Sequence, residues 1–224
     1  MTIFAEIIQE TMKKILLLIL TFLALVSLAG CSKENEDLVP DNEAGVPEVL
    51  NFITCDSPVG TIGMIDDTEG IVVELPAIGK KTYCSAQPAK KVVIATKNIG
   101  ANKPEDYGDY DTGEVYDFGK GWHLPYAREI YALIEMTNKK WTGNGYKWTF
   151  DNTGTYLFLP AAGSLWDPYS IGYYGHYWTC ELPEEFLGAD QCFLEFNSKH
   201  IGVATYSTGY VKASLRPFHD FPQK

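Results

Sequence analysis

Gly119-Lys120-Gly121-Trp122-His123-Leu124-Pro125 runs straight into Tyr126-Ala127-Arg128-Glu129-Ile130, and this junction constrains the fold more than any other stretch. Pro125 sits where a helix can begin, because its missing N–H would have no intrahelical partner there. Ala127, Ile130, Leu133, Ile134 and Thr137 then recur at helical spacing, which predicts an amphipathic helix with one largely apolar face. Glu129 and Glu135 fall off that face, and Asn138-Lys139-Lys140 is expected to close the helix with positive charge. The remainder is glycine-punctuated, aromatic and strand-like. One helix therefore has to anchor a sheet-rich domain of the α+β class.

Short apolar or alternating runs mark the strands. Leu50 to Thr54, Thr61 to Ile65 and Gly70 to Leu75 are three, the last two separated by the turn Asp66-Asp67-Thr68-Glu69. Lys91 to Thr96 reads as a buried strand rich in valine and isoleucine. Beyond the helix, Trp141 to Phe150 alternates around Gly143-Asn144-Gly145, a hairpin signature, and Tyr156 to Pro160 is a compact apolar strand. Tyr177 to Glu181 and Cys192 to Phe196 read as antiparallel partners, with Gly202 to Tyr206 and Lys212 to Arg216 completing a meander.

The first 30 residues read as a signal peptide whose working start is Met12. Lys13 and Lys14 precede the apolar run Ile15 to Val26, too short for a comfortable membrane span. Leu28-Ala29-Gly30-Cys31 resembles the bacterial lipobox, which implies lipidation of Cys31. Residues 31–47 form an acidic tether opening Ser32-Lys33-Glu34-Asn35-Glu36-Asp37, and 48–224 form the folded domain. An outer-membrane lipoprotein follows, at the cell surface or otherwise on the periplasmic face, with the membrane as a partner through Cys31.

Net charge is −11, so a nucleic-acid partner is excluded as an expectation, since phosphate binding wants a basic face. Outside the cytoplasm disulfides are permitted, and Cys55, Cys84, Cys180 and Cys192 allow three pairings. No CxxC or HxxxH spacing appears, so a structural zinc site is not expected.

Six blocks in order then carry a resemblance. They are Lys97-Asn98-Ile99-Gly100-Ala101 with Pro104-Glu105-Asp106-Tyr107-Gly108-Asp109-Tyr110, Gly121-Trp122-His123-Leu124-Pro125, Phe158-Leu159-Pro160-Ala161-Ala162-Gly163, Gly175-His176-Tyr177-Trp178-Thr179 and Leu215-Arg216-Pro217-Phe218. Together they resemble the Fibrobacter succinogenes major paralogous domain family. The resemblance implies a C-type-lectin-like fold: a mixed twisted sheet, one main amphipathic helix and long loops carrying any ligand site. Two departures stand out. Tyr126 replaces the family's helix-capping threonine or serine, leaving Glu129 as half of a capping box. The family's Tyr-Trp-Ser-Ser becomes Tyr177-Trp178-Thr179-Cys180, and strand parity is taken to turn Cys180 and Cys192 inward together. A Cys180–Cys192 disulfide is expected, with Cys55 and Cys84 left open as a pair or as thiols.

His123 has no nucleophile nearby in sequence, so a structural role is expected over general-base work, and Arg128-Glu129 reads as a solvated face. Glu105, Asp106, Asp109, Asp111, Glu114 and Asp117 offer oxygen ligands but lack EF-hand spacing, so no metal or cofactor is assigned. Cysteines on strands do not suit a reactive thiolate, and no enzyme activity is expected. The aromatic loop Gly163 to Gly175, with Trp166, Tyr169, Tyr173 and Tyr174, is the candidate ligand surface. The expected function is a non-catalytic extracytoplasmic module binding a glycan or protein; the alternative is a structural or adhesion component of a surface assembly.

Overall fold

The computed structural model describes residues 51–222, apart from 82–83, 112–117, 120, 152, 165–167, 181–190 and 207–211. The signal segment, Cys31, the acidic tether and Trp166 lie outside the described residues. In chain order the elements are β1 (Ile62–Ile65), β2 (Thr68–Leu75), β3 (Lys90–Ala95), β4 (Tyr110–Asp111), β5 (Trp122–His123) and α1 (Ala127–Met136). Then come β6 (Thr137–Trp141), β7 (Gly145–Phe150), β8 (Tyr156–Pro160), β9 (Tyr174–Thr179), β10 (Gln191–Asn197), β11 (His200–Tyr206), β12 (Ala213–Ser214) and β13 (Phe218–Asp220). A single 3-10 turn at Pro168–Ser170 precedes β9.

Three sheets form: β1-β2-β3-β13-β5, β11-β10-β9-β12-β4 and β6-β7-β8. Among the described residues α1 is the one α-helix, so the molecule is mostly β with a single short helix. The α1 helix packs against β2, β10 and β11. Ala127, Ile130 and Leu133 from the helix meet Ile71, Val73 and Leu75, Trp148 and Phe150, and Leu194 and Phe196 in one core that all three sheets share. Val72 and Val93 point the other way, into a second cluster under Trp122 and Ile53. Both faces of the first sheet are therefore filled, and β2 and β3 accordingly read as unbroken apolar runs.

Most expected strands form, and the hairpin at Gly143-Asn144-Gly145 joins β6 to β7 with Trp141 opposite Tyr146. The β1–β2 hairpin turns on Asp66 and Asp67 alone, at φ 46° and 62°, the left-handed pair that a two-residue turn demands. Leu50 to Thr54 contributes only one bridge, Phe52 to Met64. The expected meander is corrected at its end. Among the described residues after β11 none pairs with that strand again; β12 lies parallel to β9 and antiparallel to β4.

The helix forms with its expected half capping box and departs from expectation in the burial of Glu129. Tyr126 caps it without a side-chain bond, and Glu129 Oε2 accepts from Tyr126 N at 2.7 Å, the surviving half of the capping box. Glu129 is fully buried, not solvated. At the other end Thr137, Asn138, Lys139 and Lys140 belong to β6. From there the Lys139 ammonium folds back to donate to Ile134 O in the last helical turn and to Thr137 O at 2.6 Å, so the expected positive charge closes the helix from the strand that follows it.

Cys180 and Cys192 are also corrected: none of the described cysteines is joined in a disulfide. The β9–β10 register sets Cys192 opposite Thr179, so Cys180, one residue on, turns to the other face. Cys192 joins the main core, whereas Cys180 packs beside Trp178 and Leu215 and donates Sγ–H to Leu124 O. Parity misled because this sheet is buried on both faces at that end, and two apolar faces look alike in sequence.

One polar network ties the sheets together. Arg216, 2% exposed, donates Nε to Asn98 Oδ1 (2.8 Å), Nη1 to Ala95 O on β3 (3.0 Å) and Nη2 to Phe158 O on β8 (3.1 Å). Asn98 Nδ2 donates to Tyr107 O and to Tyr177 Oη on β9, and Tyr177 O–H donates to Pro160 O at 2.7 Å. Burial lowers the Arg216 pKa to about 10 and raises that of Tyr177 to about 12. Neutral acceptors thus satisfy a buried cation, and one member from each sheet takes part.

Candidate functional site

The loop before β9 holds its shape through its backbone. Gly172 N donates to Ala161 O and Gly163 N donates to Tyr174 O, both at 2.7 Å, while Tyr173 N donates to Ser170 O at 2.9 Å. Each end of the loop is thereby pinned to the segment after β8. On this frame Tyr169 is 91% exposed and Tyr173 70%, values no core residue shows. Three of the four expected ligand residues are thus at the surface: Tyr169, Tyr173 and Tyr174, the last 40% exposed. Trp166 lies outside the described residues.

Tyr174 does not stay with the loop. It opens β9, and alternation sets it on one face with His176, the two rings 6.2 Å apart and nearly parallel. Across the sheet, Glu195 on β10 stands opposite His176, and Gly202 on β11 stands opposite Glu195. The His200 ring stands over Gly202, 3.1 Å from where a Cβ would be, while the Tyr206 ring meets Phe193 edge-on with centroids 5.6 Å apart. The Tyr206 hydroxyl donates to Glu195 Oε2, and His176 Nε2 lies 3.5 Å from the same oxygen. The opposite side of β9 is closed. A Cβ on Gly175 would stand 2.1 Å from the Phe196 ring, so only glycine lets Tyr174 and His176 flank that position.

Electrostatics follow from this packing. The His176 hydrogen bond, partly opposed by burial and helped by Tyr206, holds the Glu195 carboxyl below its ordinary range. Burial and the donation to Glu195 push the Tyr206 hydroxyl well above the usual phenol. His176 Nδ1 is buried without a partner among the described residues, and Nε2 is the nitrogen that faces Glu195. Trp178, Phe193, Tyr206, His176 and Tyr174 therefore form an aromatic row running out of the core and ending at a carboxylate in a half-open hollow.

His123 belongs to a different cluster. The buried Glu129 carboxylate meets Lys90 Nζ at 2.5 Å, Lys90 meets Asp220 at 2.8 Å, and Asp220 lies 3.5 Å from His123 Nε2. His123 Nδ1 faces Leu124 O at 2.6 Å, and Tyr126 stacks between His123 and the Arg128 guanidinium. His123, Glu129 and Asp220 have ligand atoms within 4.8 Å of one another, a spacing that suits a metal. The Lys90 ammonium already stands between the two carboxylates and supplies the positive charge. Burial would lower the His123 pKa, but the neighbouring Asp220 and Glu129 carboxylates outweigh it and raise it. His123 in turn leads the contacts that drive Asp220 far below the usual carboxylate range. The cluster ties the start of α1 to β3 and β13, a structural role for His123.

His176, Glu195 and Tyr206 were not singled out from sequence, yet each left a trace. Glu195 is the one charge inside Cys192-Phe193-Leu194-Glu195-Phe196, and His176 shares parity with Tyr174. A charge placed mid-strand among apolar residues marks either a sheet edge or a site. Compared with family models, curated proteins and solved structures, the chain finds no match.

Proposed function

We propose that this protein is a lipid-anchored, extracytoplasmic, non-catalytic module that binds a glycan or protein ligand through its aromatic loop and the adjoining face of β9. The observation that carries this reading is the exposure of Tyr169 and Tyr173 on a loop fixed by backbone hydrogen bonds. Large rings held rigid and wet are what stacking on a sugar or gripping a peptide requires, because little ordering remains to be done on binding. The resemblance to the Fibrobacter succinogenes paralogous domains, with its lectin-like fold, supports the reading, since ligands bind the long loop region of such folds. The lipobox-like Leu28-Ala29-Gly30-Cys31 supports the anchor, because a diacylated cysteine holds a protein stably at a membrane. A screen of the full chain against arrayed glycans and surface proteins tests the proposal. Hits should lose at least tenfold in affinity with the Tyr169→Ala/Tyr173→Ala double variant. Hits unaffected by both substitutions would remove the loop from the binding surface.

A further inference from the structure

Several aromatic rings of the molecule, open and buried, carry one of its own cations. Lys147 Nζ sits 3.9 Å from the Tyr156 ring, Arg128 lies 4.3 Å from Tyr126, Lys139 5.7 Å from Trp148 and Lys91 5.8 Å from Phe221. The Tyr174–His176–Tyr206 hollow has the stronger claim on a cation, since it adds a carboxylate to the rings. Among the described residues no lysine or arginine is paired with Glu195; the basic side chains that act on it are the imidazoles of His176 and His200. We propose that this hollow is a site for the alkylammonium group of a lysine side chain on a partner protein. The inference rests on the binding-module reading and names the chemistry that module recognises.

Three features favour that occupant. The chain carries a net charge of −11, so a basic segment is drawn toward it. Ring faces attract an ammonium by their quadrupole, and Glu195 offers a full negative charge at the bottom of the same hollow. Its carboxylate is recessed, 19% exposed, between Tyr174 at 40% and Tyr206 at 37%. A lysine reaches such depth with a four-carbon stem that packs along the rings while its head meets the carboxylate. An amine fixed flush on a pyranose ring has no stem to do so.

The test uses the full chain in neutral detergent and a fluorescein-labelled pentapeptide, Gly-Ser-Lys-Ser-Gly, read by fluorescence anisotropy. Two further peptides carry the same lysine acetylated or trimethylated, and a chitosan hexamer supplies the amine on a sugar. The site predicts that the lysine and trimethyl-lysine peptides bind and that acetylation costs at least tenfold. Glu195→Gln should cost tenfold or more and Tyr174→Ala a similar factor. Glu105→Gln, an equal charge change on the exposed acidic loop, should leave binding within twofold. Equal binding of the acetylated peptide, or equal losses in Glu195→Gln and Glu105→Gln, would overturn the site. Tighter Glu195-dependent binding of chitosan than of the peptide would overturn the protein partner. Should the peptides fail while the array hits still require Tyr169 and Tyr173, this inference falls and the binding module stands. Glu195-dependent peptide binding without any array hit would leave the reverse.

Discussion

Strand β9 separates two clusters of similar make-up and opposite use. On one side Tyr177 joins Asn98 and Arg216; on the other, one residue away, His176 joins Glu195 and Tyr206. Each cluster has a charge at its centre and a tyrosine hydroxyl bonded into it. The Arg216 residue is 2% exposed and meets three acceptors from three parts of the fold, whereas Glu195 is flanked by Tyr174 and Tyr206, both more than a third exposed. A buried charge surrounded by fixed dipoles holds a structure together, while a recessed charge beside half-open aromatics keeps a face that solvent can reach. Identity of residue types does not separate the two; enclosure does.

The largest effect expected from this comparison is that of Arg216→Ala. It orphans Ala95 O, Phe158 O and Asn98 Oδ1 at once, each buried acceptor costing about 1–3 kcal/mol, and it leaves a cavity besides. A loss of about 4 kcal/mol or more, read from urea unfolding, would be a large part of the ~5–15 kcal/mol typical of a domain. A loss below about 1 kcal/mol would show that the three sheets do not depend on this network. Tyr177→Phe removes one hydroxyl from the same network and should cost about 1–3 kcal/mol, or roughly 2–9 °C in Tm at this size. Tyr206→Phe on the other side of the strand should move Tm by much less, because the bond it removes lies at the surface.

The Glu129–Lys90–Asp220–His123 cluster gives a smaller and pH-dependent effect. The His123 pKa is raised in the folded protein, so its contribution is fully present below about pH 6.5 and is lost as pH rises through the raised value. The Tm difference between the native protein and His123→Gln should therefore shrink from about pH 6 to about pH 9. A difference that is flat over that range would detach His123 from Asp220.

These two clusters also divide what the sequence made legible. Asn98, Tyr107, Pro160, Tyr177 and Arg216 all fall within the blocks that carried the family resemblance, and the structure joins five of those blocks in one network. Such blocks are visible because backbone carbonyls need donors of fixed geometry, which constrains residue type. The helix start and the Gly143–Gly145 hairpin were legible for a comparable local reason, a proline or glycine at a required dihedral. What stayed hidden depends on register. Glu129 reads as solvated until Lys90 is placed beside it from 39 residues away, an interval that follows from the residue numbers alone. Cys180 and Cys192 fit either face until pairing sets Thr179 between them. Tyr174 was visible as a candidate ligand ring, but His176, Glu195 and Tyr206 come together only through the pairing of β9, β10 and β11.

The smallest stability effect belongs to the residues with the largest functional one. Tyr169→Ala/Tyr173→Ala should leave Tm unchanged within about 2 °C, since surface substitutions usually stay within about ±0.5 kcal/mol. Measuring the melting temperature of that double variant beside its affinity for a screened ligand is the most direct test of the central claim. An unchanged melt with at least tenfold weaker binding is the result predicted for a ligand surface. A melt lowered by many degrees, or affinity retained in full, would contradict it.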